Sequence, residues 1–282
     1  MIKSWLVCLI TYVVALAGCW FFLKQQQYFD SFLWKAFAAD IVATVIVYVF
    51  SMVFKNSSLY DAYWSVAPPV IALYWMANTL AGETAVGYLF ITAISFWSIR
   101  LTYNWMRGWG GLAHEDWRYK LLHDKSPKLY PLVSLTGIHL FPTLMVFGGM
   151  MPVYFALQAP VVALSFVTYA GFAVALLAAV IQLISDEQMR LFRKVAARGS
   201  NIETGLWKYS RHPNYLGEIL FWFGLWVMMT GVTTSYFWAI AGTIAMTLMF
   251  IFVSIPMMEN KNLVTKSGYL KYIKRVPVLF PF

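Results

Sequence analysis

From Trp5 to Leu23 the chain runs nineteen residues without a charged side chain. A helix of about 20 apolar residues crosses the hydrocarbon core of a bilayer. Long, mainly apolar runs recur at Phe37 to Phe54, Trp64 to Leu80, Thr84 to Trp105, Leu132 to Leu157, Val161 to Ile184, Leu216 to Thr234 and Phe237 to Met257. Inside lipid every backbone N–H and C=O has to be paired within the protein, which leaves helices and closed barrels, and runs of this length select helices. The sequence therefore predicts an all-α, polytopic transmembrane helical bundle with about seven to eight spans. Composition agrees, with 61% hydrophobic and 12% charged residues, against about 25% charged in soluble domains. Pro68 and Pro69 are expected to break the third run near its start. The first run is read as structure and not as a secretion signal, because no small-residue cleavage site closes it.

The net charge of +9 is not spread as a nucleic-acid-binding face. Lys and Arg gather between spans, at Arg107 to Lys128, Arg190 to Arg211 and Lys261 to Arg275, while the connections at 78 to 84, 158 to 160 and 230 to 235 hold no basic residue. Basic loops stay on the cytoplasmic side, so this alternation places both termini in the cytoplasm. Lys24 and Lys35, in the first outer loop, run against it. Cys8 and Cys19 are eleven residues apart on one helix, too far to bridge each other.

Three segments carry chemistry. In "SDEQMRLFRK", Asp186, Arg190 and Arg193 are spaced i, i+4, i+7 and share one helix face. Two guanidiniums on a stripe suit phosphate or carboxylate, although an ordinary i, i+4 ion pair at a membrane edge uses the same residues. In "YSRHPNYLGE", Tyr209, Arg211, His212, Asn214, Tyr215 and Glu218 stand at the mouth of an apolar run, with Pro213 fit for the first turn of a helix. Asn214, Glu218 and Trp222 then line one face, and an intramembrane carboxylate costs enough to mark a functional site. In the tail, Tyr269 and Tyr272 lie one turn apart beyond Glu259, an arrangement shared with interfacial anchors. "GWGGLA" lacks the preceding strand of a dinucleotide fingerprint. The histidines of "HEDWRYKLLH" are nine apart and form no metal motif; that segment is read as solvated loop charges or an interfacial helix. No metal site is expected.

"GLWKYSRHPNYLGEILFWFG" resembles the C-terminal signature of the steroid 5-alpha-reductase-like superfamily of integral membrane proteins, which also holds sterol reductases and isoprenylcysteine carboxyl methyltransferases. "WSIRLTYNW", "HEDWRY" and "YLKYIKRVPVLFPF" look like its uncharacterised bacterial branch, so the likeness covers roughly residues 60 to 282. The resemblance implies a cytoplasm-facing cofactor cavity among the C-terminal helices. Asn214 and Glu218 would hold the nicotinamide carboxamide of NADPH, and Asp186, Arg190 and Arg193 its phosphates and ribose. Trp222 and Tyr269 would wall the cavity, and Tyr209, Arg211, His212 and Tyr215 would border it. For the acid that completes reduction, it offers Asp61 in "LYDAYWS" and Tyr103 in "RLTYNW"; the Gln-Glu pair of the steroid enzymes is absent, and Asp61 serves equally as a cap of the third helix.

The expectation is one integral membrane domain over 1 to 282, with variable spans to residue 60 and a reductase-like core beyond. It sits in a bacterial inner membrane and reduces a conjugated C=C bond of a steroid-like or other apolar lipid with NADPH. S-adenosylmethionine-dependent methyl transfer to a lipid or prenylated thiol is the second reading, and a transporter or scaffold without a cofactor the third.

Overall fold

The structure is a computed structural model that describes residues 1–282 except 80, 161, 162, 198, 281 and 282. All regular structure among the described residues is helical, as the apolar runs require. The helices are α1 (Ile2–Gln25), α2 (Phe32–Val53), α3 (Tyr63–Met76), α4 (Ala85–Gly108), α5 (Trp117–Lys125), α6 (Tyr130–Val133), α7 (Phe141–Gln158), α8 (Phe166–Val195), α9 (Pro213–Thr230), α10 (Ile240–Met249), α11 (Ile255–Thr265) and α12 (Tyr269–Arg275). Local chemistry sets several starts. Ser31, Asp116 and Ser165 accept hydrogen bonds from the first-turn amides of Leu33, Arg118 and Thr168, which have no partner within their own helices.

Six helical stretches among the described residues are long and apolar enough to cross a membrane: Ile2–Gln25, Phe32–Val53, Ala85–Gly108, Pro127–Gln158, Phe166–Val195 and Phe237–Thr265. Two expected spans fall short. The run from Trp64 to Leu80 yields a helix of 14 residues, ending before Leu80, which lies outside the described residues. Pro68 and Pro69 do not break it; the helix continues through both. The run from Leu216 becomes α9, which starts at Pro213 and is only 18 residues long. Asn214, Tyr215 and Glu218 in its first two turns dilute its hydropathy. The span expected from Val161 begins as a helix at Phe166, and Val161 and Val162 are outside the described residues.

Two long helices widen locally into π turns, at Ser134–Leu140 and Phe250–Ser254. In the second case Pro256 withholds the N–H that the Phe252 carbonyl would take, and the ladder shifts register there.

The described helices cluster into two compact units, Met1–Gly148 and Gly149–Phe282. In the first, α1, α2 and the start of α3 close on Ala15, Ala43, Val47, Tyr60 and Tyr63. Cys8, Leu59 and Trp109 form a second cluster, with Trp5 edge-on to Trp109. In the second unit α8 and α9 form a tight antiparallel hairpin. A Cβ at Gly171 would stand 2.4 Å from the Met228 amide nitrogen, and one at Gly224 would stand 2.7 Å from that of Ala175. Between helices in lipid, where no hydrophobic drive exists, such close backbone approach supplies the association energy.

Candidate functional site

In the second unit the signature peptide folds around the carboxylate of Glu259 on α11. Arg211 Nε donates to Glu259 Oε1 at 2.6 Å, and His212 Nε2 lies 3.2 Å from the same oxygen. Arg211 Nη1 reaches the carbonyls of Ile273 (3.1 Å) and Val276 (2.7 Å), while its backbone N–H donates to the Pro277 carbonyl at 2.9 Å. Ser210 Oγ donates to Val278 O. The sequence reading put Arg211 at a cofactor; the fold uses its guanidinium to fasten the C-terminal tail, and the residue is buried. His212 is buried too, its ring stacked on Tyr215 with centroids 5.2 Å apart and planes within 3°. Tyr215 in turn meets Phe250, the two rings tilted by 39°.

The tail is pinned from its far side as well. Tyr272 donates its hydroxyl to the Trp207 carbonyl, and Trp207 donates its indole N–H to the Ser185 carbonyl on α8. The turn that carries Trp207 starts at Gly205, whose φ of +60° and contact with Gln188 leave no room for a side chain.

Beside this cluster lie cations. Burial pushes the Lys266 ammonium down from its ordinary pKa, and the nearby charges of Arg193 and Lys261 push it further. Lys266 lies 5.7 Å from the centre of the Tyr269 ring. Burial raises the Tyr269 phenol; Asn262 and Arg211 oppose that rise and Glu259 adds to it. Arg193, at the end of α8, and Lys261, on α11, are thus near enough to act on the charge of Lys266, which lies beside the Tyr269 ring. A lysine whose charge is opposed by neighbouring cations is suited to an anion.

The remaining expected cofactor residues divide. Glu218 is buried and Asn214 half-buried, one turn apart on α9. Trp222 is fully buried, so its indole is packed in the interior and walls no solvent-sized space. Arg190 forms a two-point ion pair with Glu187, three residues earlier on α8, and Asp186 is half-buried beside it. Tyr209 is exposed, with Lys208 near its ring.

In the first unit the expected acid pair does not form. Tyr103 is exposed on α4 and stacks under Arg107. Asp61 instead accepts a hydrogen bond from the Tyr119 hydroxyl at 2.5 Å. Nor does Asp61 cap α3, whose first turn receives no side-chain bond. Burial pushes the Asp61 carboxyl up to about 6, against the opposing pull of Arg118 and Tyr119. The Tyr119 phenol is raised by burial and then by the Asp61 charge.

"HEDWRY" is thus no solvated loop. Glu115 accepts from the Ser57 amide at 2.8 Å, the Asp116 amide donates to Ser58 Oγ at 2.9 Å, and Asp116 grips Arg118 at 2.8 Å. Asn56 donates to the carbonyls of Leu112 and His114. Ser57 carries the network to Ser134, and the buried His139 bonds Ser134 O and Ser51 Oγ. The sequence signal for this was the polar run "NSSLYD" next to an apolar span, a position where unpaired side chains are costly.

The fold defines an integral membrane protein built of helices, with two polar centres of side chains drawn from distant stretches of sequence. The chain belongs to the family described as "protein of unknown function (DUF1295)", which matches residues 47–276. It is also similar to an uncharacterized protein of Schizosaccharomyces pombe, 28% identical over 198 residues, a match covering 61% of this chain and 57% of the relative. This chain therefore matches little more than half the relative's length. No solved structure matches.

Proposed function

We propose that the chain is a membrane reductase of the steroid 5-alpha-reductase-like kind. It binds NADPH in its C-terminal unit and reduces a conjugated C=C bond of an apolar lipid. The observation that carries this reading is Lys266, set beside the Tyr269 ring and within electrostatic reach of Arg193 and Lys261. NADPH brings a pyrophosphate and a 2′-phosphate, and binding them relieves the mutual repulsion of the three cations. S-adenosylmethionine brings a sulfonium and no phosphate, and would add to that repulsion. The donor set fits the anionic half of NADPH. Asn214 and Glu218, an amide and a carboxylate on one face of α9, suit the donor and acceptor of its carboxamide. Arg211 and Trp222 leave the set of contact residues: the first positions the tail, the second packs. Arg190 contributes only by exchanging Glu187.

NADPH supplies the hydride, which goes to the electron-poor carbon of the conjugated bond. A proton completes the addition at the neighbouring carbon. Within the N-terminal unit, Tyr119 holds its hydroxyl on the Asp61 carboxylate while Tyr103 is exposed, so Tyr119 replaces Tyr103 as the companion of Asp61.

Purified protein titrated separately with NADPH and S-adenosylmethionine tests the reading. Saturable NADPH binding is expected, weakened about tenfold or more by Arg193→Gln or Lys266→Gln, with the methyl donor binding far less. Preference for S-adenosylmethionine, or binding of neither, would overturn it.

A further inference from the structure

A cavity of about 390 Å³ lies within the first unit, among α1, α2 and α3. That volume falls in the range of small-molecule sites. Its walls are almost wholly apolar, and on α1 they run from Tyr12 to Leu23, about 16 Å of helix. The cavity opens sideways, since the lining residues Leu16 and Trp20 are 56% and 58% exposed on the lipid-facing surface.

One acid interrupts the apolar wall. Asp40 lines the cavity from the first half of α2 and is 95% buried, being 5% exposed. Tyr63, also in the wall, donates to Asp40 Oδ1 at 2.6 Å and approaches its backbone carbonyl at 3.2 Å. None of the described lining residues is basic. A carboxyl group inside a membrane helix is held neutral, is bonded within the protein, or faces a ligand that supplies a cation, and one that lines an open cavity is placed for the last. Four aromatic rings, Tyr12, Trp20, Tyr63 and Tyr74, share the wall with it, and faces of such rings attract ammonium groups. The rim already shows that preference, with the Lys24 ammonium 4.1 Å above the Trp20 ring. Acid, aromatic rings and an apolar trough open to lipid are complementary to one chemical class.

We propose that the groove binds a lipophilic amine: a long hydrocarbon body that enters from the membrane and carries one ammonium group, which pairs with Asp40. The lining residues are different ones from those invoked for NADPH, and α1 and Asp40 precede the segment that the family matches. The groove thus joins two walls outside the matched segment to a third, α3, inside it.

The test uses the full chain in phosphatidylcholine nanodiscs and two photoreactive probes of equal chain length, a primary amine and the corresponding alcohol, each with a diazirine in the chain. The amine is expected to label peptides of α1 and α2 that line the groove, and excess unlabelled amine, but not alcohol, should suppress that labelling. Asp40→Asn keeps an acceptor for Tyr63 and should cut amine labelling by about tenfold or more. Ala67→Phe, which fills the trough, should cut labelling by both probes. Equal labelling by amine and alcohol, indifference to both substitutions, or labels spread evenly over lipid-facing helices would each overturn the proposal. If Asp40→Asn does not fold, the competition between unlabelled amine and alcohol on the native chain decides.

Discussion

Asp61 and Tyr119 are 58 positions apart in sequence and 2.5 Å apart in space, and the environment between them has a measurable consequence. Burial raises the Asp61 carboxyl from 3.8 to about 6, so the folded state binds this proton more tightly than the unfolded chain does. The associated stability is fully present below about 3.8 and is lost as pH rises through about 6. Asp61→Asn, which keeps the Tyr119 acceptor, should therefore raise the thermal midpoint above pH 6, by an amount on the order of 2 kcal/mol. The gain should fade towards pH 4; a gain independent of pH would contradict the raised carboxyl. Arg211 makes a second residue-scale case. Its guanidinium bonds one carboxylate and two carbonyls, and Lys presents a point charge that cannot span all three. Arg211→Lys should release the tail, seen as faster proteolysis after residue 265, at a cost of about 2–4 kcal/mol. Unchanged cleavage would show that the guanidinium is not what holds the tail.

Helices α8 and α9 show how an element is placed by what its residues lack. Gly171 and Ala175 on α8 meet Gly224 and Met228 on α9 backbone to backbone. At the open end of the pair, where α8 begins and α9 ends, Ser165 Oγ donates to the Gly231 carbonyl at 2.8 Å. Gly171→Val is expected to separate the pair and cost about 2–4 kcal/mol, because the clash is with main chain and not with a side chain that can swing away. Its readout is the denaturation midpoint in mild detergent; a surface alanine on α8, Leu177→Ala, should leave that midpoint nearly unchanged. The same hairpin explains how α9 tolerates a polar start. Glu218 is buried within protein, and irregular or charged segments at membrane depth survive only where protein or a cavity surrounds them.

For the molecule as a whole, the basic clusters between spans predict sidedness. Single cysteines replacing Lys120, Lys208 and Lys271, all exposed, should react with a membrane-impermeant thiol reagent only from the cytoplasmic side. Cysteines replacing Glu83 and Ser235 should react only from the other, which requires α3 and α9 to cross the bilayer although they are shorter or less apolar than the six long stretches. Labelling of Lys120 and Lys208 variants from opposite sides would refute the charge rule for this chain.

Much of this was written in the one-dimensional pattern. Uncharged runs of about 20 residues admit only helices in lipid, and local spacing put Asn214, Glu218 and Trp222 on one face. The limits of α3 and α9 were less legible, since hydropathy does not see where a helix stops. Nor did the sequence separate Tyr103 from Tyr119 as the companion of Asp61, because both follow polar stretches and neither distance nor burial is a local property. Composition and periodicity determined that this chain is helical, membrane-embedded and polar at certain helix ends. Only tertiary structure decided which polar groups meet: Arg211 with the tail, Asp40 with Tyr63, Asp61 with Tyr119. Those pairings arise from contacts between segments far apart along the chain, and a charge acquires its partner, and its proton affinity, only after packing has excluded solvent around it.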